Sequence, residues 1–281
     1  MPHWRILGTV HPTTLQRSRE TLHHAAQLLA LAGASYREPQ GDDSHTSMSW
    51  LEPFGALSSQ PIAAEVPFRF ALRLRDLTLL VIDETSREER AALPLHGVTR
   101  DDALAWMRHE VARRGLDDER LRSRLHFAIA SHPTDDGRPF EALMDGTLEE
   151  LASWYSDASF VLENRRRAVD GAGPVRCWPH HFDIATLVRL EPGGPLRTIG
   201  IGLSPGDDSA DEPYYYVAPY PAPTVRPRPL SIGSWHTSGW WGAALGASAI
   251  VKAATAEDQA AMVTHFIDEA LECLLAINQG R

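Results

Sequence analysis

The chain has 281 residues, 43% hydrophobic and 23% charged, with a formal net charge of −10. This is globular composition with enough chain for a large core, and its acidity repels phosphate backbones and anionic lipid, which argues against nucleic-acid and membrane-surface partners. Two cysteines, Cys177 and Cys273, are too few for a disulfide framework or a cysteine-rich zinc site, and Lys252 is the only lysine, so no phosphate-loop lysine exists.

In chain order, "MPHWRILGTV" has no apolar leader core, and no window approaches the ~18 uninterrupted apolar residues of a membrane helix. A cytoplasmic setting is expected. The first helix is expected from "TTLQ", Thr13 to Gln16, whose Thr-x-x-Gln spacing has the form of a capping box. "HTSMSWL" (45–51) reads as a weak strand. "FRFALRLR" (68–75) alternates, with Phe68, Phe70, Leu72 and Leu74 on one face and Arg69, Arg73 and Arg75 on the other. "LTLLVID" follows at once, as the second arm of a hairpin, and "RAALPL" (90–95) is a further weak strand.

"TRDD" at 99–102 places Thr99 at an N-cap with acids in the first turn, where the helix dipole favours them. The loop "SHPTDDGRP" (131–139) gathers His132, Asp135 and Asp136, which reads as a solvated turn before it reads as a ligand set. "TLEE" at 147–150 is a second capping-box form, and Arg165 to Arg167 near that helix's end suit its dipole without any ligand. Strand-like segments follow in "VRCWPHHFDIATLVRL", "LRTIGIGLS" and "PYYYVAPY", then the Pro-rich "APYPAPTVRPRP". The last helix opens at "TAED" with Thr255 as N-cap.

"TRDDALAWMRHEV" and "TAEDQAAMVTHFI" align without a gap, Thr99 on Thr255 and His109 on His265. Both histidines fall opposite their helices' apolar stripes and are expected in solvent. The expected fold is α+β: two pseudo-repeated halves, 1–140 and 141–281, each helix, antiparallel strands, helix, packed as one core.

As a strand, "CWPHHFDIATL" (177–187) puts His180 inward with Trp178, Phe182 and Ile184, and His181 with Asp183 on the opposite face. The i, i+2 spacing of His181 and Asp183 permits a contact that would fix the imidazole tautomer. Tyr214, Tyr216 and Tyr220 share one face of their strand, and "SWHTSGWWGAALGA" adds Trp235, His236, Trp240 and Trp241. Tyr and Trp pair an apolar body with a polar tip, as ligand pockets require, although a core with a tyrosine rim uses them equally. No G-x-S-x-G, H-E-x-x-H, C-x-x-C or G-x-G-x-x-G occurs, and neither cofactor nor metal is expected.

"GPVRCWPHHFDIA", preceded by "FVLENRRR" and followed by "GIGLSPGD" and "PYYYVAPYPAP", resembles a large family of uncharacterised bacterial proteins with a PVHFFWGSFDLA-like strand and an FYAYAYPEP-like strand. Pro174, Val175, Trp178, Phe182, Asp183, Ala185 and Tyr214 to Pro223 carry the match, while Arg176 stands where the family has His. The resemblance implies the architecture and no activity.

The leading expectation is a protein that binds a small organic ligand in an aromatic-walled pocket of the C-terminal half, near His181, Asp183, Tyr214, Tyr216, Trp235, His236 and Trp240. The alternatives are an enzyme using His181 and Asp183, with or without His236 and a metal, in acid–base chemistry, and a structural protein whose aromatics meet in a homo-oligomer.

Overall fold

The alternation of residues 68–75 becomes the middle strand of an antiparallel sheet over 68–73, and Leu74 and Arg75 leave it in a 3-10 turn. The computed structural model describes residues 4–191 and 194–279, which form five α-helices and two antiparallel sheets. The first three residues of "MPHWRILGTV" lie outside that range, and no helix among the described residues is long and apolar enough to cross a membrane. The chain divides into two compact units. The N-unit comprises Arg17–Ala152 with Cys177–Phe182; the C-unit comprises Met1–Gln16, Ser153–Arg176 and Asp183–Arg281.

Helix α1 (Gln16–Tyr36) leads into a sheet of β1 (Ser49–Leu51), β2 (Ala56–Ser58), β3 (Phe68–Arg73), β4 (Thr78–Asp83) and β5 (Glu89–Pro94), paired in sequence order. Helix α2 (Arg100–Ala112) follows. Every residue of β4 is buried, so this strand is covered on both faces. Register pairs Phe70 with Val81 and Leu72 with Leu79 on one face, where Phe70 meets Trp106 of α2 edge-on at 6.2 Å. On the other face Ala56, Ala71, Leu80 and Ile82 form a core cluster with Leu51 and Phe54 against it. The hairpin turns through a single 3-10 turn, Leu74–Asp76, with Leu77 at φ 50°. In α1, Gly33 allows the backbone at His45 and Thr46 to cross the helix; a Cβ there would strike the carbonyl of His45.

Helix α3 (Thr147–Ala168) enters the C-unit at Ser153. The second sheet holds β6 (Arg176–Cys177), β7 (Ile184–Arg189), β8 (Thr198–Ser204), β9 (Tyr214–Tyr220), β10 (Ser234–His236) and β11 (Gly242–Gly246), in the order β10-β11-β9-β8-β7-β6. A one-turn helix α4 (Ala247–Ile250) and the long α5 (Ala256–Asn278) complete it. The core lies on the sheet's inner face. Ile184, Val188, Ile199, Ile201, Leu203, Tyr215, Val217 and Leu245 are buried there, and α5 packs along β9 and β11 through a stripe that includes Val263, Phe266, Ile267, Ala270 and Leu274. Each such aliphatic or aromatic side chain contributes about 1.5–3 kcal/mol when fully buried.

Thr99 and Thr255 cap α2 and α5 identically. Each hydroxyl oxygen accepts the N–H of the residue three on, Asp102 or Asp258, at 3.1 Å and donates to that residue's carboxylate. His109 and His265 are both exposed. Thr13 and Thr147 do not cap. Thr13 sits in a 3-10 turn opened by Pro12, and α1 begins only at Gln16. Thr147 is the first residue of α3; its N–H and hydroxyl both donate to Asp145, which has taken the capping role. The stretch 177–187 is not one strand. Pro179 has no N–H to give a ladder, residues 179–181 form a turn in which Phe182 N–H donates to Trp178 C=O at 2.7 Å, and Phe182 adopts φ 58°. His180 is therefore exposed, not inward, and its ring lies 4.4 Å from that of His181 instead of pointing away from it. The β10–β11 hairpin, in sequence read only for its aromatics and glycines, is an additional pair of strands.

Candidate functional site

Alternation along the C-unit strands leaves the outer face of the sheet to unusually small residues. Ala185, Gly202, Tyr216 and Ala244 stand side by side across β7, β8, β9 and β11, with Gly200, Ala218 and Gly242 on the same face. The missing side chain at Gly202 makes room for Tyr216: a Cβ at 202 would sit 2.6 Å from its ring and hydroxyl. The ring can thus lie across the sheet toward Asp183, just before β7, and donate its hydroxyl to Oδ2 at 2.5 Å. Tyr214, two residues earlier and on the same face, donates to Asp207 Oδ2 at 2.6 Å; Asp207 also accepts from Ser209 N–H. Burial, reinforced by the Asp207 carboxylate, raises the Tyr214 hydroxyl well above its ordinary pKa, so it stays a donor.

Trp240 joins the two tyrosines. It stacks on Tyr214 at 6.0 Å and meets Tyr216 edge-on at 6.3 Å. His236 stacks on Trp240 at 4.5 Å and donates its Nε2–H to Ser238 C=O. The indole N–H of Trp240 is buried without a hydrogen-bond partner among the described residues. Of the residues expected at a site, Asp183, Tyr214, Tyr216, His236 and Trp240 thus gather on one face. Trp235 does not join them: strand alternation turns it from His236, so it stacks on Trp241 at 5.2 Å and donates to Arg228 C=O. Flat rings beside two carboxylates with fixed orientation form a surface suited to holding a planar molecule.

His181 belongs to the N-unit, among histidines that sequence reasoning passed over. The His23 ring lies parallel to Phe182 at 5.1 Å, and its Nε2–H donates to Pro179 C=O at 2.8 Å, an acceptor shared with Gln27. Burial lowers His23 to a pKa of about 4, with the neighbouring His24 adding to the effect. His24 donates to Ala130 C=O and stacks on His132 at 4.7 Å; burial lowers it too, against the opposing pull of Asp135. The signal in the sequence was "HHAAQ", a helical i, i+4 pairing of His23 with Gln27. His132, Asp135 and Asp136 form a 3-10 turn whose capping hydrogen bonds are internal, as a solvated turn requires. Among the described residues, no group of three or more His, Cys, Asp or Glu side chains is arranged to hold a metal ion.

Comparison with protein families, curated proteins and solved structures finds no match.

Proposed function

We propose that this chain binds a small organic molecule on the outer face of the C-unit sheet. The arrangement of Tyr216 carries the reading: a ring laid over Gly202 and Ala185 and hydrogen-bonded to Asp183, with Trp240 and His236 stacked beside it. Aromatic walls supply apolar contact, and the carboxylates of Asp183 and Asp207 fix the Tyr216 and Tyr214 rings that form them. The same proposal takes the chain as a member of the bacterial family it resembles, and its two helix–strands–helix halves as diverged copies marked by the matching caps of α2 and α5.

Native mass spectrometry of protein purified without dialysis tests the binding reading. The expected result is a non-covalent adduct that is lost in both Tyr216→Leu and Trp240→Ala. An unadorned wild type, or an adduct kept by both variants, contradicts it. Stoichiometric zinc or manganese lost on His181→Ala would move the reading to acid–base catalysis, and a homodimer dissolved by Trp240→Ala would move it to an oligomer contact.

A further inference from the structure

The N-unit contains a cleft of about 490 Å³, within the usual size range for small-ligand sites. Arg17, His96, His132, Arg138, Phe140 and Glu141 are among the residues that line it. Its polar groups are mostly donors. Arg17 is held by Glu141 at 2.5 Å, which cancels both charges. Arg138 is exposed and makes no ion pair among the described residues. His96 Nδ1 accepts the N–H of Ala142 at 3.1 Å; His132 Nδ1 accepts that of Thr134 at 3.4 Å and the Thr134 hydroxyl lies 2.9 Å from the same nitrogen, oriented to donate to it. A neutral imidazole whose Nδ1 accepts carries its proton on Nε2, so each ring keeps one N–H to donate. Burial holds His132 below its ordinary pKa, which favours that neutral form.

One uncompensated guanidinium and two imidazole N–H donors match one kind of group. We infer that this cleft binds the carboxylate of a small organic acid, with Arg138 as its charge partner and His96 and His132 as additional donors. The guanidinium fork fits a carboxylate in the plane of two N–H bonds. A phosphate dianion would bring a second charge that no free cation here balances. The body of the acid would lie against the exposed rings of Pro133 and Pro139.

Calorimetric titration of the full chain with benzoate, and separately with inorganic phosphate, tests this. Benzoate should bind saturably and more tightly than phosphate, and Arg138→Ala should weaken it about tenfold or more. Arg138→Lys should fall between, because a point charge replaces a fork. His96→Phe, which removes an N–H, provides an independent weakening of several-fold. Loss of benzoate binding in Tyr216→Leu with full binding kept in Arg138→Ala would place the ligand on the aromatic face of the C-unit and overturn the inference. Absence of saturable benzoate binding, equal affinity in Arg138→Ala, or tighter binding of phosphate would overturn the inference. Arg138 is exposed, so the variant should melt with the wild type.

Discussion

Gly202 and Tyr216 depend on each other. A side chain at 202 would displace the ring from Asp183, and without the ring the small-residue face would lose its wall. The tyrosine alternation of "YYYVAPY" is legible in sequence, since Tyr215 and Val217 are buried and Tyr220 is 67% exposed. The across-sheet neighbour that lets Tyr216 lie flat is not, because strand register is a long-range property. The inward placement that strand alternation predicts for His180 fails for a local reason: Pro179 ends the ladder and Phe182 takes a left-handed turn. His23 leads to a pH prediction. Folded, it titrates near 4 instead of 6.5, so between those values the unfolded chain binds the proton and the native state does not. Stability should therefore fall as pH drops from about 6.5 to 4, by an amount on the order of 3 kcal/mol from this group. Urea unfolding at pH 7 and pH 4.5 should show wild type losing on the order of 2 kcal/mol more than His23→Gln, whose side-chain amide still reaches Pro179 C=O. Equal losses would remove His23 from the account.

Four helix starts share a Thr followed by an acid or amide, yet only two use the Thr as a cap. Thr99 and Thr255 arrive in extended backbone, with ψ 161° and 154°, which aims the hydroxyl at the N–H three residues on. At the other two starts a neighbour intervenes: Pro12 draws Thr13 into a 3-10 turn, and Asp145 reaches the first turn of α3 before Thr147 can. Sequence pattern identifies a candidate cap; the incoming backbone decides it. Thr99→Ala and Thr255→Ala should each cost about 1 kcal/mol in denaturant unfolding. Thr13→Ala, whose hydroxyl meets only His11 Nδ1 in an exposed turn, should change stability by less than about 0.5 kcal/mol. A cost at Thr13 equal to that at Thr255 would contradict this assignment.

Across the whole molecule, the α+β class and the order helix, antiparallel strands, helix were readable because hydrophobic period is local. The assembly of separate stretches was not. Residues 4–8 join the C-unit through Gln259, a fully buried side chain of α5 that accepts from Leu7 N–H at 2.9 Å and donates to Leu7 C=O at 3.0 Å. Nothing in the helical pattern around Gln259 announces a partner more than two hundred positions away. The β10–β11 hairpin is not legible in sequence for a similar reason: its glycines and alanines have low strand propensity and pair because β9 offers an edge. The same small residues build the floor of the proposed site. Its most direct test is amide and indole NMR of the full chain, comparing protein purified without dialysis with protein unfolded, stripped of small molecules and refolded. The account predicts shifts centred on Gly200, Gly202, Gly242 and the Trp240 indole N–H, with the α5 amides near Ala270 unmoved. Identical spectra, or shifts confined to α5, would contradict it.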